Sequence, residues 1–157
     1  MPNRADSEEC RHFFPNNGAD VESPTLSFSS ETVQEIANIL YSLPGTFSGS
    51  LVQHMSRKKY TVETLAERSL ASTKTIQRMR NDENYTPKLG TVVAVCIGLQ
   101  LHPILSGDLI KKSGLAFKYT EEHTAYQFIL STHFRSSIYE CNKKLACCGF
   151  KSIGREE

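Results

Sequence analysis

What the chain lacks first is overall charge. Eighteen basic and seventeen acidic residues leave a formal net charge of +1 at neutral pH, so no global field marks it for nucleic acid. It has no apolar run of the roughly 20 residues that a membrane-spanning helix needs. Its N-terminus is polar and acidic and lacks the basic start and apolar centre of a signal peptide. These absences set the expectation of a cytoplasmic chain with no membrane partner. Also missing are a His-Glu-x-x-His pair, a glycine-rich phosphate loop and a nucleophile elbow, while Asp108, Glu121, Glu122 and His123 form no recognisable acid/base pair. The expectation is a protein that is not an enzyme and needs no cofactor. Five cysteines, an odd number without regular spacing, suit reduced thiols better than a disulfide framework. Cys141, Cys147 and Cys148 with His123 or His133 lack the spacing of a zinc finger or ribbon, and Cys141 and Cys148 lie seven residues apart, on one helical face, as core residues do. Cys10 and His12 alone are too few ligands for a site. No metal is expected.

What is there is unevenly placed. Residues 1 to 31 hold two basic and six acidic residues, whereas residues 57 to 88 hold eight basic and four acidic ones. A positive centre beside an acidic tail suits a surface that faces phosphate, and a solvated helical surface with chance asymmetry has the same composition. At 157 residues the length supports one ordinary core with additional elements. Three parts are expected. Residues 1–29, with little periodicity and with Asn-Asn-Gly and Ser-Pro breaks, form a flexible acidic arm. Residues 30–115 form a helical domain, and residues 116–157 a helical extension.

Within the second part the apolar spacing predicts successive helices. Ser30 is placed to cap the first, striped by Val33, Ile36, Ile39 and Leu40, and Pro44-Gly45 breaks it. The next, about Phe47 to Lys58, sets Phe47, Leu51 and Met55 on one face and closes on Arg57-Lys58-Lys59. Thr86-Pro87 is expected to open a nearly continuously apolar buried helix, and Pro103 another that stops at Gly114. In the extension, Thr120 and then Ser136 or Ser137 cap two short helices. Their apolar residues, around Tyr126 to Leu130 and Ile138 to Cys148, must dock on the domain, pair with each other or bury against a second chain.

Between these lies TVETLAERSLASTKTIQRMRND, residues 61–82, which reads as two short helices joined by a tight turn. Leu65, Ala66, Ile76 and Met79 face inward, and Ser72 is placed to cap the second helix. Thr73, Lys74, Gln77, Arg78 and Asn81 face outward, with no acidic residue between Ser72 and Asn81. The stretch resembles the helix-turn-helix of the Cro/phage-repressor (XRE-type) family, roughly T-Q-E-E-L-A-E-x-x-G-V-S-x-x-T-I-S-R-x-x-N-G. The match is carried by Thr61, Glu63, Leu65, Ala66, Glu67, Ser72, Thr75, Ile76, Arg78 and Asn81. Three positions depart from it. Val62 replaces a Gln, Leu70 replaces the turn Gly where a left-handed backbone is expected, and Asp82 replaces the terminal Gly.

The resemblance implies an all-α fold, a five-helix lambda-repressor-like helix-turn-helix domain over roughly residues 46 to 115, followed here by the C-terminal pair of helices. It implies a transcriptional regulator that binds double-stranded DNA sequence-specifically, with residues 72–82 in the major groove. Thr73, Lys74 and Gln77 are then the expected base contacts, since Gln suits adenine and Lys donates to guanine acceptors. Lys58, Lys59, Thr75, Arg78, Arg80 and Asn81 are the expected phosphate contacts, and the C-terminal helices the candidate homodimer interface. The alternative is a protein-interaction module, antitoxin-like or a regulatory subunit, that uses the same scaffold. A weaker one is the regulatory portion of a larger metallopeptidase-linked regulator.

Overall fold

The computed structural model describes residues 28–155, so the expectations for the acidic arm, and for Cys10 and His12 within it, fall outside the described residues. The described residues form eight α-helices and no strand, an all-α fold. In chain order they are α1 (Ser30–Ser42), α2 (Phe47–Lys58), α3 (Val62–Ser69), α4 (Thr73–Asn81), α5 (Leu89–Gly98), α6 (Pro103–Lys112), α7 (Glu121–Thr132) and α8 (Ile138–Cys147).

Short polar side chains set most of the starts by satisfying orphan backbone N–H groups. Thr46, Thr61, Ser72, Thr120 and Ser137 accept from the N–H three residues on, at the heads of α2, α3, α4, α7 and α8. His102 does the same work for α6 through Nδ1, which accepts from Ile104 N–H at 3.2 Å, with Pro103 in the first turn. Two starts differ from expectation. The cap of α1 is Ser29, one residue earlier than Ser30, and its hydroxyl oxygen accepts from Thr32 N–H at 3.1 Å. The apolar helix α5 begins at Leu89 rather than at Pro87, because Lys88 is still extended (φ −71°, ψ 148°) and gives no side-chain cap.

The core forms around α5, whose residues Thr91 to Gly98 are all buried. Helix α3 packs on α5, α4 packs on α2 and α3, and α6 packs on α2 and α5. Gly98 is needed for the first of these contacts, since a Cβ there would lie 3.1 Å from the Ser69 backbone nitrogen. Helix α1 is peripheral: none of its residues is buried, although Ile36, Ile39 and Leu40 lean on the core. Gln53 on α2 donates to the Ser42 carbonyl at 3.1 Å, and Glu35 acts electrostatically on Arg57 and Lys58, so α1 runs antiparallel to α2.

The C-terminal helices join this core. Helix α7 packs on α5 and α6, α8 packs on α5, and Ala125, Tyr126, Ile129, Leu130, Phe134, Ile138, Cys141 and Leu145 are buried in the same cluster as Leu51 and Ile76. Of the three fates open to their apolar faces, the structure realises docking on the domain. The surface named as a dimer interface is therefore occupied from within, because apolar side chains already removed from water have little further transfer energy to give a partner. The segment after α8 follows them inward. Ile153 is buried, its N–H donates to Asn142 Oδ1 at 2.8 Å, and its carbonyl accepts from Asn142 Nδ2 at 3.2 Å. Gly154 (φ +81° being the value at Gly114 and Gly149, +90° here) lies so close to the end of α3 that a Cβ would sit 2.0 Å from the Ser69 carbonyl oxygen.

Candidate nucleic-acid interface

Helices α3 and α4 meet through a three-residue turn, Leu70 to Ser72. Leu70 adopts the left-handed conformation (φ 61°, ψ 5°) that its position requires. A side chain in that region costs on the order of 1 kcal/mol, and Leu70 recovers part of this by packing against the core. Ser69 closes the corner. Its hydroxyl donates to the Leu65 carbonyl at 2.7 Å and accepts from Ala71 N–H at 3.2 Å. The angle between the two helices is then filled by Leu65, Ile76 and Met79, each almost fully buried.

This packing fixes which side chains of α4 look outward. Thr73, Lys74, Gln77, Arg78 and Asn81 are exposed. Thr75 is not: it is 4 % exposed and its hydroxyl lies 2.8 Å from that of Ser72, while its N–H donates to Ser72 Oγ at 3.1 Å. A residue held this way braces the first turn of α4 and does not present its hydroxyl to a phosphate. Arg80 is half-buried, with its Nε shielded from solvent and unpaired, and it lines a cleft beside α1 and α2. The expected phosphate contacts are therefore not one surface; Arg78 and Asn81 share the outer face of α4 with Lys74 and Gln77, whereas Thr75 and Arg80 leave it.

Arg78 is steadied by the loop after α4, where its guanidinium carbon lies 4.1 Å from the centroid of the Tyr85 ring. Such stacking restrains a long side chain without consuming its donors. Asp82, at the end of the helix, accepts from Asn84 N–H at 3.0 Å and so shapes the same loop. Val62 is buried. In place of the Gln that opens this helix in the family pattern there is core packing, so Thr73 receives no polar brace from position 62.

Lys58 and Lys59 close α2. Lys59 is exposed in a left-handed cap (φ 59°, ψ 39°). Lys58 is half-buried, and burial, followed by the positive fields of Arg57 and Arg135, lowers its pKa from the ordinary lysine value. Arg135 was not among the expected contacts. It belongs to the loop between α7 and α8, and only the folded chain brings its charge to Lys58 and His102. Arg68 stacks on Tyr60, 4.9 Å from ring centroid to guanidinium carbon, on the outer side of α3.

Among the described residues, no three His, Cys, Asp or Glu side chains come together as a metal site. Cys96 and Cys141 are buried free thiols whose pKa burial pushes up to about 12, the opposite of an activated nucleophile. No helix among the described residues is long and apolar enough to cross a membrane.

Residues 51–111 match the family model of the Cro/C1-type HTH DNA-binding domain. The match takes in most of α2 to α6, with the α3–turn–α4 motif at its centre, and in this part the chain resembles a domain of that DNA-binding family. No curated protein and no solved structure matches the chain.

Proposed function

We propose that the chain is a transcriptional regulator that binds double-stranded DNA sequence-specifically, with α4 in the major groove. The observation that carries this reading is the outer face of α4. On a Cro/C1-type motif it presents Thr73, Lys74, Gln77, Arg78 and Asn81 to solvent, with no carboxylate in the helix. Lys74 and Gln77 are assigned to base edges, where Lys donates to guanine O6 or N7 and Gln pairs with adenine N6 and N7. Thr73 stands at the helix start beside them. Lys58, Lys59, Arg78 and Asn81 set the domain on phosphates, and Arg135 adds charge to the Lys58 side. Thr75 and Arg80 act from within, the first through the Ser72 cap. No dimer contact is assigned to α7 and α8, whose apolar faces are buried inside the chain.

The test is selection from a randomised duplex pool, followed by polarisation titration of wild type, Lys74→Ala/Gln77→Ala and Arg78→Ala. One enriched sequence is expected. The double variant should bind it no better than random DNA, a loss of roughly 1–3 kcal/mol per base contact, and Arg78→Ala should weaken all sequences alike. Absence of enrichment, together with binding indifferent to salt between about 50 and 200 mM, would remove the DNA reading in favour of a protein-interaction module.

A further inference from the structure

Charge is divided along this chain. Residues 1–27 hold five acidic and two basic residues, and the rest holds sixteen basic and twelve acidic ones. The positive excess is unanswered on the surface assigned to DNA. Helix α4 contains no carboxylate, and no carboxylate among the described residues pairs with Lys59, Lys74 or Arg78.

The fold fixes where the acidic arm is attached. Gln53 of α2 donates to the Ser42 carbonyl at the end of α1, and Glu35 acts on Arg57 and Lys58, so α1 runs back along α2. Ser30, the first residue of α1, lies about 7.5 Å along the axis beyond Glu35. The arm therefore joins the domain at the end of α2 that carries Lys58 and Lys59, next to the start of α3. An extended chain covers at most about 3.5 Å per residue. Asp20 and Glu22, eight and six residues before Phe28, can lie up to about 20–30 Å from it, which takes in Lys58 and Lys59. Asp6, Glu8 and Glu9 can lie up to about 65–75 Å from it, which takes in α4, a nine-residue helix packed on α2. Tethering holds such groups at a high effective concentration, so charge pairs too weak to retain a free peptide suffice here.

We propose that residues 1–27 dock on this basic surface, with Asp20 and Glu22 at Lys58 and Lys59, and Asp6, Glu8 and Glu9 at Lys74 and Arg78. The arm and DNA phosphates then compete for the same cations, so the chain screens its own recognition helix. Carboxylates accept from Lys and Arg donors through charge-assisted hydrogen bonds, as phosphates do. The docking is independent of the DNA reading and is tested without DNA; the competition rests on that reading.

Full-length, isotope-labelled wild type is compared with a full-length variant carrying Asp6→Asn, Glu8→Gln, Glu9→Gln, Asp20→Asn and Glu22→Gln. Docking should displace the backbone amide signals of Lys59, Lys74 and Arg78 between the two proteins. The signal of Lys118, beyond the end of α6 that lies against Ser50, should stay in place. Salt raised from about 50 to 500 mM should carry the displaced wild-type signals to their positions in the variant. In Lys59→Gln/Lys74→Gln/Arg78→Gln, the amides of Asp20 and Glu22 should take the positions they have in wild type at high salt. Polarisation titration with a random duplex at about 50 mM salt should show the neutralised arm raising affinity roughly fivefold or more, an advantage lost by about 300 mM. Coincident signals of Lys59, Lys74 and Arg78 in the two proteins overturn the docking, whether or not DNA binds. Displaced signals with equal DNA affinities overturn the competition. Displaced signals in a protein that binds no duplex uphold the docking and overturn the competition together with the DNA reading.

Discussion

His54 is fully buried on α2, beneath the surface that carries Lys58. Arg57 can only donate, so the 3.0 Å contact makes His54 Nδ1 the acceptor and places the ring proton on Nε2, which has no partner. A second proton would put a buried imidazolium beside Arg57. Burial, and next the Arg57 charge, accordingly lower the His54 pKa from 6.5 to about 4. The sign of the stability effect follows. The unfolded chain takes up a proton below about 6.5 while the folded chain resists until about 4, so stability is full above 6.5 and falls as pH drops through that window. At 1.36 kcal/mol per pK unit the loss attributable to His54 approaches about 3 kcal/mol. Urea unfolding at intervals between pH 7 and 4 should show that slope, and His54→Gln should flatten it relative to wild type. Identical slopes in the two proteins would mean that His54 is already protonated, or solvated, in the folded state.

Among the elements, α4 is the one whose placement decides function, and its first turn depends on Ser72. The hydroxyl accepts from Thr75 N–H at 3.1 Å and meets the Thr75 hydroxyl at 2.8 Å. Ser72→Ala should cost about 1 kcal/mol in urea unfolding and leave Thr75 buried with its inner hydrogen bond broken. Ser72→Thr should restore most of it, and a Ser72→Ala midpoint equal to wild type would remove the cap from the account. This element was largely legible in the sequence, because caps, turns and inward faces are local. Ser72, Thr120 and Pro103 each mark a helix start by chemistry confined to one turn, and Leu65, Ile76 and Met79 fall inward by periodicity alone. What was not legible is set by neighbours in space. Thr75 and Arg80 differ from Arg78 only in which flank of α4 they occupy, and the identity of the flanking elements, α2 and α1 on one side and the Tyr85 loop on the other, is tertiary. The late start of α5 belongs here too. Pro87 fits a first turn, but its burial and the extended Lys88 make it a packed approach to the helix.

At the scale of the whole molecule, the C-terminal extension and the helix-turn-helix share one core, and the contact that ties them most closely is at the far end of the chain. A periodicity search has nothing to find in residues 149–154, where Ile153 is the one buried hydrophobe. Yet Ile153 and Gly154 fill a slot between α3, α5 and α8. Gly90 lies beside both Ile153 and Tyr126, Asn142 holds the Ile153 backbone, and Gly154 touches the Ser69 carbonyl. Ser69 is the last residue of α3, so the tail supports the corner from which α4 is aimed. In Gly154→Ala the new methyl would meet backbone rather than a flexible side chain, and φ of +90° disfavours it further. The chain's cheapest response is to release the tail, and the loss is then bounded by re-exposing Ile153, about 2 kcal/mol. Because the core is continuous, that loss should lower the stability of the whole domain. One cooperative transition, displaced equally whether followed by helix content or by a reporter on α4, is the expected result. A transition at α4 that stays where it is in wild type, with only residues beyond α8 loosened, would show that the extension and the helix-turn-helix are energetically separate units.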